Sequence, residues 1–167
     1  MNLKALAEAF EKHISNIVEK LQGKVVVFDF DGTMTEFHYA ETRLLPCRDD
    51  DVYEYSKTHN IYANARMLGT MQYVISQLNP ENVFVLTRTE KTLIDKKNEC
   101  IYREFPSIKP ENINHVQIAE KKLDVLRALH ERFGTDVIFV EDTFKTILNA
   151  EESMPFVRGV HISSFLI

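Results

Sequence analysis

The chain has 167 residues, of which 44% are hydrophobic and 27% are charged, with five glycines and five prolines. This composition predicts a single folded domain over residues 1–167 and excludes disordered and fibrous chains. The net charge of -5 disfavours a protein that mainly binds nucleic acid, and no stretch approaches the roughly 20 apolar residues of a membrane-spanning helix. Two cysteines without metal-ligand spacing, and no apolar signal segment, favour a cytoplasmic location.

The first predicted element is an amphipathic helix over residues 1–22, which Gly23 ends. Its apolar stripe either covers the sheet of its own domain, which we expect, or contacts a partner chain in a homodimer. The stripe consists of Leu3, Leu6, Phe10, Ile14, Ile17 and Leu21.

The most informative stretch, residues 24–35, reads KVVVFDFDGTMT. Its four uncharged β-formers predict a fully buried strand that ends in acids. Because side chains alternate along an extended chain, Asp29 and Asp31 are expected to project to one side and share one small volume. Gly32 permits a sharp turn there, and Thr33 offers a hydroxyl that can tie the turn down.

Strands and helices alternate in the rest of the chain. Residues 36–60, broken by Pro46, are predicted to form a loop or small lid. The elements predicted after it are a helix over 63–78, a strand over 83–86, a helix over 89–104, a strand over 113–118, a helix over 119–133 and strands over 137–140 and 157–162.

This alternation predicts an α/β fold of the Rossmann-like type, with a parallel sheet of about five strands and helices on both faces. Ligands of such sheets bind at the carboxyl ends of the strands. Three polar strand ends should therefore meet at one edge of the sheet. They carry Asp29 and Asp31, Thr87, and Glu141 and Asp142.

The expected oxygen ligands at this edge suit magnesium. Clustered acids would repel a phosphate dianion, so a divalent cation is needed to neutralise them before such a substrate can enter. A carboxylate in this position can attack phosphorus and give an aspartyl-phosphate that water hydrolyses, while a neighbouring carboxyl group transfers the protons. The sequence therefore predicts a magnesium-dependent phosphoryl-transfer site.

Four stretches resemble the motifs of the haloacid dehalogenase-like (HAD) superfamily of phosphohydrolases. They are VVVFDFDGTMT, VFVLT, the start of the helix near Lys121 and Lys122, and VIFVEDT. The resemblance covers about residues 24–162 and implies a HAD-like fold that hydrolyses a phosphomonoester with Mg²⁺ as cofactor. It also implies that Asp29 is the nucleophile and a metal ligand, and that Asp31 is the general acid/base whose main-chain carbonyl meets the metal.

The same resemblance implies roles at the other strand ends. Thr87 would hydrogen-bond the transferring phosphoryl group, and Asp142 with Glu141 would hold the magnesium. The chain has Glu-Asp where the family often has Asp-Asp or Gly-Asp, so Glu141 reaches the metal directly or through a bound water. Lys122 would balance the charge of the nucleophile and the phosphate. Its neighbour Lys121 is the alternative for this role.

The segment before the second helix bears on the substrate. Residues 36–59 are too few to fold as a separate cap, which predicts an open site. Such a site either accepts the phosphorylated end of a larger molecule or is covered by a second subunit. Because the acidity of the chain disfavours long nucleic acids, we expect a modest-sized phosphomonoester. Arg43 and Arg48 in this segment, and Arg88 next to Thr87, are expected to contact anionic groups of the substrate. The phosphorylated end of a protein or nucleic acid stays an alternative.

Other function classes also remain open. One is a phosphotransferase or phosphate-end-processing enzyme of the same fold, and another is a non-enzymatic phospho-acceptor of the receiver type. A receiver places its acceptor Asp on a central strand after the acid pair and its lysine at a late strand end. Here Lys122 precedes the last acids and begins a helix, which favours the enzyme. A catalytically silent binding module is the third alternative.

Overall fold

The structure is a computed structural model that describes residues 2–36 and 54–166. Its longer α-helices, in chain order, are α1 (Leu3–Leu21), α2 (Gly69–Ser76), α3 (Ile94–Glu104), α4 (Lys122–Phe133) and α5 (Phe144–Ser153). Its strands are β1 (Val25–Phe28), β2 (Val83–Arg88), β3 (Ile113–Val116), β4 (Val137–Glu141) and β5 (Val157–His161).

The strands form one parallel sheet in the order β3-β2-β1-β4-β5. The first strand in the sequence therefore lies at the centre, where both of its edges are paired. Val26 is in register with Val83 on β2 and with Ile138 on β4. All four residues of β1 are buried, as an uninterrupted apolar strand requires. The prediction of a Rossmann-like α/β fold with five parallel strands is confirmed.

Helices cover both faces of this sheet because successive side chains of each strand point to opposite faces. Val26 and Phe28 pack in the core beneath α1, α2 and α3. Val25 and Val27 pack in a second core beneath α4 and α5. Each layer can therefore bring side chains to the carboxyl edge of the sheet from its own face.

The first helix packs on its own domain through its C-terminal half. Ile14 and Leu21 are buried in the core, and the ring of His13 is hydrogen-bonded to the Ser164 carbonyl, at 2.9 Å from Nε2. Towards the N-terminus the same stripe is open, with Leu3 82% exposed and Phe10 37% exposed. The expectation that this helix covers its own sheet therefore holds for the half that follows Phe10.

The helix predicted over residues 63–78 is shorter than expected, because α2 begins only at Gly69. The preceding residues pair with the turn after β1: Leu68 N–H donates to the Met34 carbonyl (3.0 Å), and Met67 bridges Thr35. An extended segment that forms such pairs cannot also be helical. Helix α5 was not predicted from the sequence. It buries Ile147 and Ala150 but leaves Phe144 and Leu148 exposed.

The lid predicted over residues 36–60 lies for the most part outside the described residues. Arg43, Arg48 and Pro46 fall in that part of the chain. Within the described ranges, every helix is too short or too polar to cross a membrane.

Candidate functional site

The carboxyl ends of three neighbouring strands surround one cavity of about 810 Å³. Asp29 follows β1, Thr87 lies near the end of β2, and Glu141 is the last residue of β4. Asp31, Asp142 and Lys122 line the same cavity. The structure therefore brings together the polar strand ends that the sequence predicted at one edge of the sheet.

Lys122 is the first residue of α4 and points its ammonium into this acid cluster. Its Nζ donates to Asp29 Oδ1 at 2.6 Å and to Glu141 Oε2 at 2.7 Å, and all three side chains are buried. Burial disfavours the charged form of Lys122, but the two carboxylates outweigh it and raise its pKa. Lys121 lies outside the cavity and pairs with Asp124 on the surface. Of these two neighbouring lysines, Lys122 is therefore the one that lines the cavity.

Three carboxylates of the cluster could hold a metal ion together. Asp29, Glu141 and Asp142 each offer an oxygen atom, and these oxygens lie within 4.8 Å of one another. Burial raises the pKa of Asp29 to about 7; Lys122 opposes this rise, whereas Glu141 and Asp31 add to it. Burial likewise raises the pKa of Glu141. The single ammonium of Lys122 does not neutralise all three carboxylates. A hard divalent cation such as Mg²⁺ can bind to the remaining negative charge.

Asp142 is fixed by contacts to two other elements. Gly32 has a φ of +79°, and a Cβ built on it would lie only 2.9 Å from Asp142 Cγ. Glycine is thus required for the conformation of this turn and for the close approach of Asp142. His161 on β5 donates from Nε2 to the Asp142 carbonyl at 2.8 Å, because a carbonyl can only accept. His161 is a positioning contact that the sequence reading missed.

Asp31 does not belong to the group of three carboxylates that could share a metal ion. Its Oδ2 accepts from Lys97 Nζ at 2.6 Å, and its carboxylate also bonds the Tyr62 hydroxyl. Burial first, and then Asp31, raise the pKa of Tyr62. Asp29 and Asp31 line the same cavity, as expected, but each of them is bound by a different lysine. Phe28 and Phe30 turn into the core as expected.

The turn after β1 is closed differently from the prediction. Thr33 was expected to tie it down, but its buried hydroxyl has no hydrogen-bond partner among the described residues. The Phe30 carbonyl instead accepts from the main-chain N–H groups of Met34 at 2.9 Å and Thr35 at 3.1 Å. Main-chain donors therefore close the turn without the Thr33 side chain.

Lys97 is the main site residue that the sequence reading missed. It is fully buried on α3 and donates to Thr87 Oγ1 at 2.9 Å as well as to Asp31. A signal was present in the sequence, because Lys97 stands four residues after Leu93 and four before Ile101, on the apolar stripe of the helix. A lysine on such a stripe must find buried partners.

Arg88 is the only one of the three predicted substrate-binding arginines that belongs to the described residues. It is exposed and lines the cavity beside Thr87, where its guanidinium can meet an anionic group. Arg43 and Arg48 lie outside the described ranges. Their contacts with a substrate stay a prediction.

Fold and site together define a Rossmann-like α/β protein that carries an acidic, lysine-bound cluster at the carboxyl edge of its sheet. No family model matches the chain, and no curated protein matches it either. Its function is therefore inferred from the geometry of the site and from the motifs that carry the resemblance described above.

Proposed function

We propose that the protein is a magnesium-dependent phosphatase of the HAD type, which hydrolyses a small phosphomonoester through an aspartyl-phosphate. One observation carries this proposal. The buried Asp29 carboxylate is bound by Lys122 beside Glu141 and Asp142, and it faces a cavity that it shares with Thr87. A nucleophile, a buried cation, metal-binding acids and a hydroxyl group thus meet in one volume, as phosphoryl transfer requires.

Asp29, Glu141 and Asp142 would hold Mg²⁺, together with the main-chain carbonyl of Asp31. The donor set supports this assignment, because the three carboxylates are close together and only partly neutralised by Lys122. When bound, the cation would neutralise these acids and stabilise negative charge on the phosphoryl oxygens. If the Glu141 carboxylate leaves Lys122, it would bind Mg²⁺ directly. If it stays hydrogen-bonded to Lys122, a water molecule would bridge it to Mg²⁺.

The side chains of this site can carry out both halves of the reaction. In the first half, an Asp29 oxygen bonds to phosphorus, the bond to the leaving oxygen breaks, and Asp31 gives that oxygen a proton. In the second half, Asp31 takes a proton from water, the water oxygen bonds to phosphorus, and Asp29 is released. Lys122 stabilises the charge on Asp29, and the Thr87 hydroxyl donates to the phosphoryl group.

The cavity favours a small substrate. Its volume of about 810 Å³ falls within the range of sites for small molecules. Beyond the acids it is lined by Ile61, Tyr62, Leu93 and Ile118, which suit an uncharged part of the leaving group. Arg88 at its rim would bind a second anionic group where the substrate has one.

The strand order supports the enzyme over the receiver alternative. Flavodoxin-like domains, to which receivers belong, have the order 2-1-3-4-5, whereas this sheet has the order 3-2-1-4-5. A phosphotransferase would use the same first half-reaction and differ only in the acceptor of the second. The two are therefore distinguished by the product: inorganic phosphate, or a phosphorylated acceptor.

The test is a panel of phosphomonoesters assayed for phosphate release with Mg²⁺ and with EDTA, using wild type and Asp29→Asn. We expect release that requires both Mg²⁺ and Asp29, and a phosphoryl group on Asp29 in rapidly quenched samples analysed by mass spectrometry. Activity that survives in EDTA or in the variant would contradict the proposal. Phosphate that appears only on an added alcohol would favour the phosphotransferase.

A further inference from the structure

We propose that Lys97 is a positioning residue of this reaction, which fixes both the proton-transfer group Asp31 and the hydroxyl of Thr87. This inference rests on the proposed function and extends it to a residue outside the motifs that carry the family resemblance. Three observations support it: the complete burial of Lys97, the saturation of its ammonium, and its place opposite Lys122.

The Lys97 ammonium uses all of its donors on the site. It donates to Asp31 Oδ2 at 2.6 Å, to Thr87 Oγ1 at 2.9 Å and to the Arg88 carbonyl at 3.2 Å. An ammonium has three N–H groups, so each has one partner. Burying this charge costs free energy unless such partners are present, and an apolar side chain would fill the position without that cost. The contacts therefore indicate a role beyond packing.

The bond to Thr87 sets the direction of its hydroxyl. Because an ammonium only donates, Thr87 Oγ1 must accept from Lys97, and its own hydrogen points elsewhere. Among the described residues, the Arg88 carbonyl is its acceptor at 3.4 Å, which is long for an O–H···O bond. A phosphoryl oxygen in the cavity that Thr87 lines can replace this long bond and accept the hydroxyl hydrogen at a shorter distance.

The two acids of the VVVFDFDGTMT stretch are bound by lysines from opposite faces of the sheet. Lys97 approaches from the α1–α3 face of the sheet and binds Asp31, whereas Lys122 approaches from the α4–α5 face and binds Asp29. Asp29 remains with Glu141 and Asp142, and Asp31 does not join them. This separation suits one carboxylate for attack on phosphorus and the other for proton transfer to the leaving oxygen.

A positioning role predicts a loss that depends on the leaving group. A nitrophenolate leaves without a proton, whereas an alkoxide needs one in the transition state. Lys97→Met, which keeps the length of the side chain and removes the charge, should misplace Asp31 and Thr87 together. We expect kcat/KM to fall about tenfold for 4-nitrophenyl phosphate. For an alkyl phosphate the loss should be about a hundred times larger than that or more, since general acid catalysis contributes about 10²–10⁴-fold.

The experiment measures kcat and KM of both esters at saturating Mg²⁺, with Lys96→Met as the matched control. Lys96 is the partly exposed neighbour on the same helix and should behave as wild type. In a double-mutant cycle, Lys97→Met should add no further leaving-group dependence to Asp31→Asn, because both act on the same proton transfer. Equal losses on the two esters, or no loss, would overturn the inference and indicate a structural lysine.

Lys97→Arg covers the case in which the methionine variant does not fold. Arginine keeps the charge but not the compact three-donor geometry, so the selective loss on the alkyl ester should persist. Wild-type kinetics in this variant would overturn the inference. Asp29→Asn, assayed in parallel, separates the two proposals. If it retains activity, the proposed function fails and this inference fails with it; if it is inactive while Lys97→Arg shows no selectivity, only the inference fails.

Discussion

The Lys122 ammonium donates to Asp29 Oδ1 over 2.6 Å, although 93 positions separate the two residues in the chain. The contact joins the first residue of α4 to the end of the central strand. It places a buried cation on the proposed nucleophile, and Glu141 binds the same cation from β4. The chemistry of the site is organised around this pair, and the first two predictions test it.

Asp29→Asn should lower kcat by at least about a thousandfold on the best ester, because the amide keeps the shape but removes the nucleophile. Steady-state kinetics at saturating Mg²⁺ measure the loss. Asp95→Asn is the matched control, since Asp95 is an exposed carboxylate on α3 away from the cavity. An Asp29 variant that keeps a tenth of the wild-type rate would show that another group attacks phosphorus.

Lys122→Met should cost far more activity than Lys121→Met, at least about a hundredfold against less than about twofold. The physical reason is the removal of the charge that stabilises Asp29 during attack and release. Lys121 forms only an exposed pair with Asp124, and such pairs contribute about 0–1 kcal/mol. Kinetics and urea unfolding of both variants test the difference. The reverse order of effects would assign the site to Lys121.

Asp142→Ala should weaken Mg²⁺ binding at least about tenfold, because it removes one of three clustered carboxylates. Titration calorimetry measures the affinity in the absence of substrate. Asp136→Ala serves as the control, since Asp136 is exposed and pairs with Arg158. An unchanged affinity in Asp142→Ala would remove this residue from the metal site.

Gly32→Ala should destabilise the fold by about 1–3 kcal/mol and also weaken Mg²⁺ binding. Alanine disfavours a φ of +79°, and its methyl group would push against the Asp142 carboxylate. Urea unfolding and calorimetry give the two quantities. Gly69→Ala is the control, because Gly69 begins α2 with open space around its Cα. A Gly32 variant with wild-type stability would contradict the crowding at Asp142.

Ionisation of Asp29 should destabilise the metal-free protein as the pH rises. The pKa of Asp29 is raised from 3.8 to about 7 in the folded state, so between these values the folded state binds more protons than the unfolded one. The contribution of Asp29 to the free energy of unfolding therefore falls as the pH rises from about 4 to about 7, and it stays low above that. Glu141, whose pKa is also raised, acts in the same direction.

Urea unfolding in EDTA at about pH 5 and about pH 8 measures this dependence. Asp29→Asn should flatten it and be more stable than wild type at the higher pH, because it leaves Lys122 and Glu141 as a one-to-one pair. Saturating Mg²⁺ should reduce the dependence in wild type by binding the ionised acids. A pH dependence that is the same in wild type and in Asp29→Asn would show that Asp29 is charged without penalty.

The strands and most of the helices could be predicted from the sequence because their signals are local. The apolar run of β1 has no competing interpretation. Gly134 ends α4 as predicted, and the structure gives it a φ of +64°. The boundaries of α2 could not be predicted, because the pairing of Met67 with Thr35 is a contact between distant segments. The apolar pattern of α5 is weak, since only Ile147 and Ala150 are buried.

For the site, too, some features could be predicted from local patterns and others depend on contacts between distant segments. Asp29, Thr87 and the acids after Val140 could be placed at one edge from the sequence, because the carboxyl ends of parallel strands meet there. The partner of each acid was decided only by the tertiary structure. Lys97 lies 66 positions from Asp31, and its helical spacing indicated burial but not the partner. Which buried charges pair depends on how α3 and α4 pack on opposite faces of the sheet, and no local pattern encodes that distance.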